Sequence, residues 1–349
     1  MPSTKTDNNR KEPSLFSDKF ANENSSESKK PETRPEQNDS PTYKDIILPS
    51  AGSILFEQIE NPIPSREKTK NHSLLEGERK NWIKAIFTME LDTELIEYLV
   101  NSHKGYISTI VCSITENGLL STGVDSSNVG LVNSWLSSND FNRLNVDTAG
   151  VFALDISEMD EWMSEVPTDD TVTISVKKNT HSNIEEDQDI SIHTQSGSEI
   201  TSVLPAVETI RRPPDIPELD LTSHIKIPLK EFEHVLDRCN EYSDRIKIKA
   251  TKDGVQFNSE GSVTTITKQY NNSNDILTDA KADVYTYTTP DDSSLFGIDK
   301  IRPYMRRLKK TQTNHPMHLK FGEEYPFKAK IKLTKTSYSK LMVAPRIES

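Results

Sequence analysis

A period of well over a hundred residues constrains this chain more than any other feature of its sequence. Thr115-Glu-Asn-Gly-Leu-Leu-Ser-Thr122 returns 136 residues later as Thr251-Lys-Asp-Gly-Val-Gln-Phe-Asn258. Each glycine follows Asn or Asp between two apolar runs, which is the signal of a tight β-hairpin. Phe152-Ala-Leu-Asp155 finds a second partner 144 residues on, in Phe296-Gly-Ile-Asp299. In both copies the Asp is placed to cap a helix that begins at the next residue. Solenoids repeat every 20–50 residues or so, and a period this long marks a duplicated domain.

Each copy reads in the same order. An amphipathic helix (Leu91 to Val100; Leu229 to Cys239) precedes the hairpin, a short helix follows (Ile156 to Glu165; Lys300 to Lys310), and strands such as Thr171-Val-Thr-Ile-Ser-Val176 and Met317-His-Leu-Lys-Phe321 close the unit. Arg245-Ile-Lys-Ile-Lys-Ala250 alternates polar and apolar, as a sheet with one buried face requires. Two helices on a mostly antiparallel sheet, repeated twice, is an α+β architecture. Ile210-Arg-Arg-Pro-Pro-Asp-Ile-Pro-Glu-Leu-Asp-Leu221 separates the copies, and its three prolines forbid a helix interior or a central strand. The expected division is a polar extension (1–80), a first domain (81–208), an extended connector (209–222) and a second domain (223–349).

From Met1 to about Glu78 the chain is rich in Ser, Asn, Glu, Lys and Pro, too poor in apolar area to offset chain entropy, so most of it reads as disordered. One apolar island interrupts it, Tyr43-Lys-Asp-Ile-Ile-Leu-Pro with Ser53-Ile-Leu-Phe-Glu-Gln-Ile59. It reads either as a segment docked on the folded body or as a recognition peptide for another protein. No apolar run is long enough to span a bilayer, and Met1 to Arg10 lacks a signal peptide, which places the protein in the cytoplasm, away from membranes. Cys112 and Cys239, the only cysteines, sit among apolar neighbours and read as buried thiols. There is no P-loop, H-E-x-x-H, C-x-x-C or G-x-S-x-G, so neither an enzyme nor a cofactor is expected. The acidic runs Glu185-Glu-Asp187 and Asp291-Asp292 read as solvated loops and not as metal sites.

Three stretches carry a family resemblance. Thr122-Gly-Val-Asp-Ser-Ser-Asn-Val-Gly-Leu-Val132, Pro213-Pro-Asp-Ile-Pro-Glu-Leu-Asp-Leu221, and Gly322-Glu-Glu-Tyr-Pro-Phe327 with Met342-Val-Ala-Pro-Arg-Ile347 resemble DNA sliding clamps of the archaeal and eukaryotic proliferating-cell-nuclear-antigen family. The connector is similar above all to haloarchaeal members. The resemblance covers Lys84 to Ser349; the first 80 or so residues have no counterpart in a typical clamp. It implies a homotrimeric ring of six similar domains, with helices lining a hole that encircles duplex DNA without reading sequence, a processivity factor for DNA polymerase. It also implies that clamp loader, polymerase and other clients dock by short motifs in an apolar pocket. Carried over by position, that pocket involves Val124, Asn128, Val129, Leu131, Pro214, Ile216, Pro326, Met342, Ala344, Pro345 and Ile347. Met342 departs from the aromatic residue frequent in the family.

The chain's net charge of −12 argues against nucleic acid, yet Lys300-Ile-Arg-Pro-Tyr-Met-Arg-Arg-Leu-Lys-Lys310 is strongly basic. On a helical wheel Arg302, Arg306, Lys309 and Lys310 share one stripe while Ile301, Tyr304 and Leu308 oppose it. Such a stripe, with Arg307 and with Lys230 from the preceding helix, could hold phosphates without base readout; a solvated charged face is the plainer alternative. Pro303 is tolerable if Asp299 caps, because it then lies in the first turn. The helices Leu91 to Glu97 and Ile156 to Glu161 are acidic where clamps present Lys or Arg. A clamp-like scaffold that binds clients without encircling DNA therefore stands as an alternative. Ring closure would use edge strands, expected at Ser262 to Tyr270 and near Glu199 to Leu204.

Overall fold

The computed structural model describes residues 73–75, 81–178, 188–205, 207, 210, 219, 221–251, 254–271, 285–287, 292–309 and 316–346. The first half runs β1 (Ile86–Asp92), α1 (Thr93–His103), β2 (Thr109–Thr115), β3 (Gly118–Val124), β4 (Gly130–Ser137), β5 (Arg143–Thr148), β6 (Gly150–Asp155), α2 (Ile156–Met163), β7 (Thr171–Lys178), β8 (Gln188–Thr194) and β9 (Glu199–Val203). The second half repeats that order. It runs β10 (Ser223–Pro228), α3 (Leu229–Asn240), β11 (Arg245–Thr251), β12 (Gly254–Glu260), β13 (Thr265–Asn271), β14 (Tyr285–Tyr287), β15 (Ser293–Gly297), α4 (Ile298–Lys309), β16 (Pro316–Phe321), β17 (Phe327–Lys332) and β18 (Tyr338–Val343).

Strand pairing is duplicated as well. The order β5-β1-β7-β8-β9 in the first half is matched by β14-β10-β16-β17-β18, and β4-β3-β2-β6 by β13-β12-β11-β15. The halves join where β18 pairs antiparallel with β4, from Tyr338–Trp135 to Val343–Gly130, fusing two units into one nine-stranded sheet. Their counterparts β9 and β13 are left as sheet edges among the described residues.

The hairpin repeat falls where the sequence put it. Gly118 and Gly254 open β3 and β12 at φ +141° and +150°, and a Cβ on either would collide with a carbonyl oxygen of the neighbouring strand, Leu136 O or Tyr270 O. The second repeat needs a correction. Thr109 pairs with Asp155 and Arg245 with Gly297, so Asp155 corresponds to Gly297, 142 residues on, and not to Asp299. A two-residue slip keeps each side chain on its own face of the sheet, so apolar alternation cannot reveal it.

The slip has a consequence for the caps. Asp155 caps α2 by accepting from the Ser157 and Glu158 amides at 2.8 and 3.0 Å. α4 starts at Ile298, so Asp299 lies within its first turn, bonded to Arg346 at 3.3 Å, and Pro303 lies inside the helix. An interior proline removes a backbone hydrogen bond. Burial of Ile301, Tyr304, Met305 and Leu308 on the opposite side holds α4 in place despite it.

α1 packs on both α2 and α4, and α4 on α3, giving one row of helices in the order α2-α1-α4-α3. Between this row and the sheets runs a continuous core that includes Phe87, Leu95, Leu99, Ile174, Phe232, Leu236, Phe257, Tyr304 and Phe327. Cys112 and Cys239 are buried in it, and burial pushes the Cys239 thiol up to about 11. The opposite face of the sheet has its own cluster, built on Val111, Leu120, Trp135, Val151, Ala153 and Tyr338. No helix of the described residues is long and apolar enough to cross a membrane.

Candidate nucleic-acid and partner interface

The helix row carries opposite charge in its two halves. On α1 the solvent-facing positions are Glu94, Glu97 and Asn101, and on α2 Ser157, Glu158, Asp160 and Glu161. On α3 they are Lys230, His234, Arg238 and Asn240, with Glu231 and Asp237 half-buried, and on α4 Asp299 and Arg306, with Lys300, Arg302 and Arg307 half-buried. The structural register makes the contrast positional: Asp160 corresponds to Arg302, Ser164 to Arg306 and Glu165 to Arg307.

Acidic neighbours take up part of the basic stripe. Arg302 Nε lies 2.5 Å from Asp237 Oδ1, and Arg306 Nε lies 3.8 Å from Glu233 Oε1 and 3.9 Å from Asp237 Oδ1. Arg307 turns toward α1, its guanidinium lying over Gly105 so closely that a Cβ there has no room. Burial lowers its pKa, against the pull of Tyr106 and Asp160. Lys309 ends α4, and Lys310 lies outside the described residues. On α1 the nearest cation, Lys104, is tied to Asp160 at 2.5 Å.

Lys300 serves the junction between the halves. Its Nζ donates to Asp125 Oδ2 at 3.0 Å and to Ser127 Oγ at 2.9 Å. Asp125 also accepts from the amides of Val129 and Gly130 at 2.8 and 2.9 Å and from Ser127 Oγ at 2.5 Å. The Asp-Ser-Ser stretch thus folds the β3–β4 loop on itself and fastens α4 to it. Burial works to raise the Asp125 pKa, but the bonds from Ser127, Gly130 and Lys300 outweigh it and hold the carboxyl below its usual value.

Hydroxyl groups complete the seam. Ser102, Ser134, Ser339 and Tyr304 form a chain at 3.0, 2.7 and 2.8 Å that links α1, β4, β18 and α4. Asp140 accepts from Thr334, Thr336 and Ser337 at 2.5, 2.6 and 2.5 Å. Of the acidic loop residues, Asp292 takes hydroxyls of Thr222 and Ser223 at 2.5 and 2.6 Å, while residues 185–187 and Asp291 lie outside the described residues.

On the outer face of that seam the structure brings together Val124, Leu131 and Met342, with half-buried Leu219 packed on them. Val129 is tied to the same corner, its carbonyl accepting from the Ala344 amide at 2.8 Å. Asn128 holds the left-handed turn of the loop at φ +59°. Pro345 follows half-buried, and Phe327 pairs with Val343, bringing Pro326 to the same end of the sheet. Pro214, Ile216 and Ile347 lie outside the described residues, as does the island at Tyr43 to Ile59.

Sequence reasoning missed one part of this outer face. Leu75 is buried in the Trp135 cluster together with Val207 from the end of the first domain and Ile210 from the start of the connector, and Leu74 and Trp82 pack against it. The chain then bridges to the edge of the sheet, the Val151 amide donating to Ile83 O at 2.8 Å and Ala85 N to Val151 O at 3.0 Å. The signal was present in Leu74, Leu75 and Trp82, apolar side chains at the end of a polar stretch.

Twin domains fused edge to edge, with all four helices in one row, define a duplicated clamp fold. Two family descriptions match in the matching order: Proliferating cell nuclear antigen, N-terminal domain, over residues 87–197, and its C-terminal domain over 215–346. The chain belongs to the proliferating cell nuclear antigen family. The DNA polymerase sliding clamp of Methanothrix thermoacetophila is 23% identical over 259 residues, covering 74% of this chain and 97% of that protein. The DNA polymerase sliding clamp of Haloarcula marismortui is 25% identical over 270 residues, covering 76% and 100%. Among solved structures, A. fulgidus PCNA with the C-terminal region of FEN-1 bound matches with a TM-score of 0.65 at 20% identity, over 76% of this chain and 100% of that one.

Proposed function

We propose that this chain is a DNA polymerase sliding clamp, a non-catalytic intracellular ring of three copies that encircles duplex DNA and carries client proteins on its outer face. The observation that carries the reading is the pair of unmatched edges. β9 and β13 occupy in their halves the places that β18 and β4 occupy at the internal junction. An edge strand presents unpaired backbone groups, and two complementary edges on one chain make a head-to-tail contact that closes into a ring when the rotation between copies is a whole fraction of a turn. The relatives named above as sliding clamps support the assignment.

In such a ring the row α2-α1-α4-α3 lines the hole. DNA contact falls on Arg306, with Arg302, Arg307 and Lys230 around it, and the sequence stripe adds Lys309 and Lys310, while α1 and α2 present acid to the phosphates. The ring is then held by topology more than by charge. Clients occupy the outer corner at Val124, Leu131, Met342, Ala344 and Pro345, with Asn128, Val129 and Pro326 beside it, where an apolar cluster suits an aromatic plug; the family resemblance adds Pro214, Ile216 and Ile347.

Retention on closed circular DNA after loading, compared with the same DNA linearised, tests the reading. A clamp stays on the circle and slides off the linear form, and Arg306→Glu shortens its residence. The acidic α1 and α2 favour a second reading, a scaffold that binds clients without DNA; equal loss from circular and linear DNA selects it.

A further inference from the structure

The duplication transfers the internal junction, residue by residue, onto the surface where two copies would meet. The strand registers give the correspondence. Leu341 faces Val132 across β18–β4, Leu341 corresponds to Ile200 in β9, and Val132 to Ile266 in β13. On this mapping Ile200 of one copy faces Ile266 of the next, and Thr201 faces Thr265. The β3–β4 loop, which carries Asp125 and Ser127 against Lys300, corresponds to the β12–β13 turn, with Gly261 and Val263 in the equivalent places. Lys300 corresponds to Glu158.

The two ends of this mapped contact have a matching peculiarity. Val263 stands 94% exposed at the tip of its turn, where it is open to a neighbouring copy. On the opposite side, a small cleft opens between α2 and β9. It is lined by Glu158, Met159, Trp162, Ile192, Ile200 and Leu204, with Pro205 and Ser202 at the same site. Its residue Glu158 is the counterpart of Lys300, which receives the β3–β4 loop at the internal junction, and Ile200 is the counterpart of Leu341, which pairs with Val132 there.

Resting on the ring reading and going beyond it, we infer that Val263 of one copy packs over the shallow cleft formed by Met159, Trp162, Ile200 and Leu204 of the next, completing a site that neither copy has alone. The junctions within and between copies then use different chemistry in the same geometry. Within a chain a polar tip meets a cation, Asp125 and Ser127 on Lys300; between chains an apolar tip meets an apolar cleft rimmed by Glu158. The difference also discriminates against mispairing. β18 with its Lys300 is matched to an acidic loop, and β9 with its Glu158 to an uncharged one, so each edge selects its partner.

Sedimentation velocity of the full chain at fixed salt reads the contact. Val263 is exposed in a turn, so Val263→Asp leaves the fold intact, and far-ultraviolet circular dichroism verifies that. Val263→Asp places a carboxylate beside Glu158, and the expected result is self-association weakened at least tenfold. Glu158→Lys added to it installs the acid–lysine pairing of the internal junction, and assembly is expected to return. Unchanged assembly of Val263→Asp, or failure of the double variant to recover, overturns this contact while leaving the ring in place. A wild-type chain that stays monomeric overturns the ring reading and this contact with it.

Discussion

Asp125→Ala probes the seam on which the whole arrangement depends. The side chain is 7% exposed and accepts from two backbone amides, the Ser127 hydroxyl and Lys300. Its removal strands buried donors and leaves a cation, itself only 23% exposed, without its partner. Hydrogen bonds to charged groups contribute about 1.5–3 kcal/mol each. Breaking a buried ion pair from one side costs about 3–5 kcal/mol. Lys300 regains some water and the loop can relax, which puts the expected loss at the lower end, about 3 kcal/mol, out of a total that is typically about 5–15 kcal/mol. Asp125→Asn, which keeps an acceptor oxygen, should lose roughly half as much.

The assay is urea unfolding at constant salt, followed by tryptophan fluorescence and circular dichroism together. The pH dependence has a definite sign. The folded pKa of Asp125 is lowered, so its contribution is complete above the unfolded value of about 3.9 and disappears as pH falls through the lower folded value. Wild type should therefore lose stability relative to Asp125→Asn only in acid below about pH 4. A loss under about 1 kcal/mol for Asp125→Ala at neutral pH would refute the claim that this carboxylate fastens the two halves.

Two further outcomes follow from the charges and from the outer face. Asp237→Asn frees Arg302, so duplex affinity should rise and the log–log salt slope steepen by about 0.9 for each added phosphate contact, read by fluorescence anisotropy across a salt series; an unchanged slope would mean that Arg302 does not reach phosphate. Deleting residues 1–80 removes Leu74 and Leu75 from the Trp135 cluster, and burial of one leucine stabilises by about 1.5–3 kcal/mol. The truncated chain should melt lower with red-shifted tryptophan emission, and an unaltered melt would show that the segment contributes nothing there.

The duplication was legible because it is written in local signals. Asn117-Gly118 and Asp253-Gly254 mark the same hairpin twice, and the alternation of Arg245 to Ala250 fixes the buried face of β11. The helix beginning at Leu229 was read to within a residue at each end, since its apolar stripe is strongly periodic. The slip at Phe296 had a physical source: strand faces repeat every two residues, so the sequence match two residues away is equally consistent with burial. Only the pairing of Arg245 with Gly297 settles it.

The candidate site was legible in type but not in its couplings. The run from Lys300 to Lys310 reads as one basic stripe because a helical wheel contains no neighbours. In the folded chain Lys300 belongs to Asp125, Arg302 to Asp237 and Arg307 to the turn at Gly105, and among the described basic side chains of the run only Arg306 keeps much of its exposure. Those partners come from 65 to 202 positions away in the chain, beyond any local pattern. The anchoring of Leu75 beside Val207 and Ile210 escaped for the same reason.

In the proposed ring, β9 of one copy pairs with β13 of the next in the register that β18 adopts on β4. Thr201→Cys with Thr265→Cys places two thiols at the counterparts of Met342 and Leu131, which touch at the internal junction. The native thiols Cys112 and Cys239 are buried and stay out of the reaction. Mild oxidation followed by non-reducing electrophoresis should convert the double variant to covalent dimers and a closed trimer, while the shifted pair Thr201→Cys with Thr267→Cys stays largely monomeric. Cross-linking of the shifted pair in preference to the first, or of neither while the chain sediments as a larger assembly, would contradict the account.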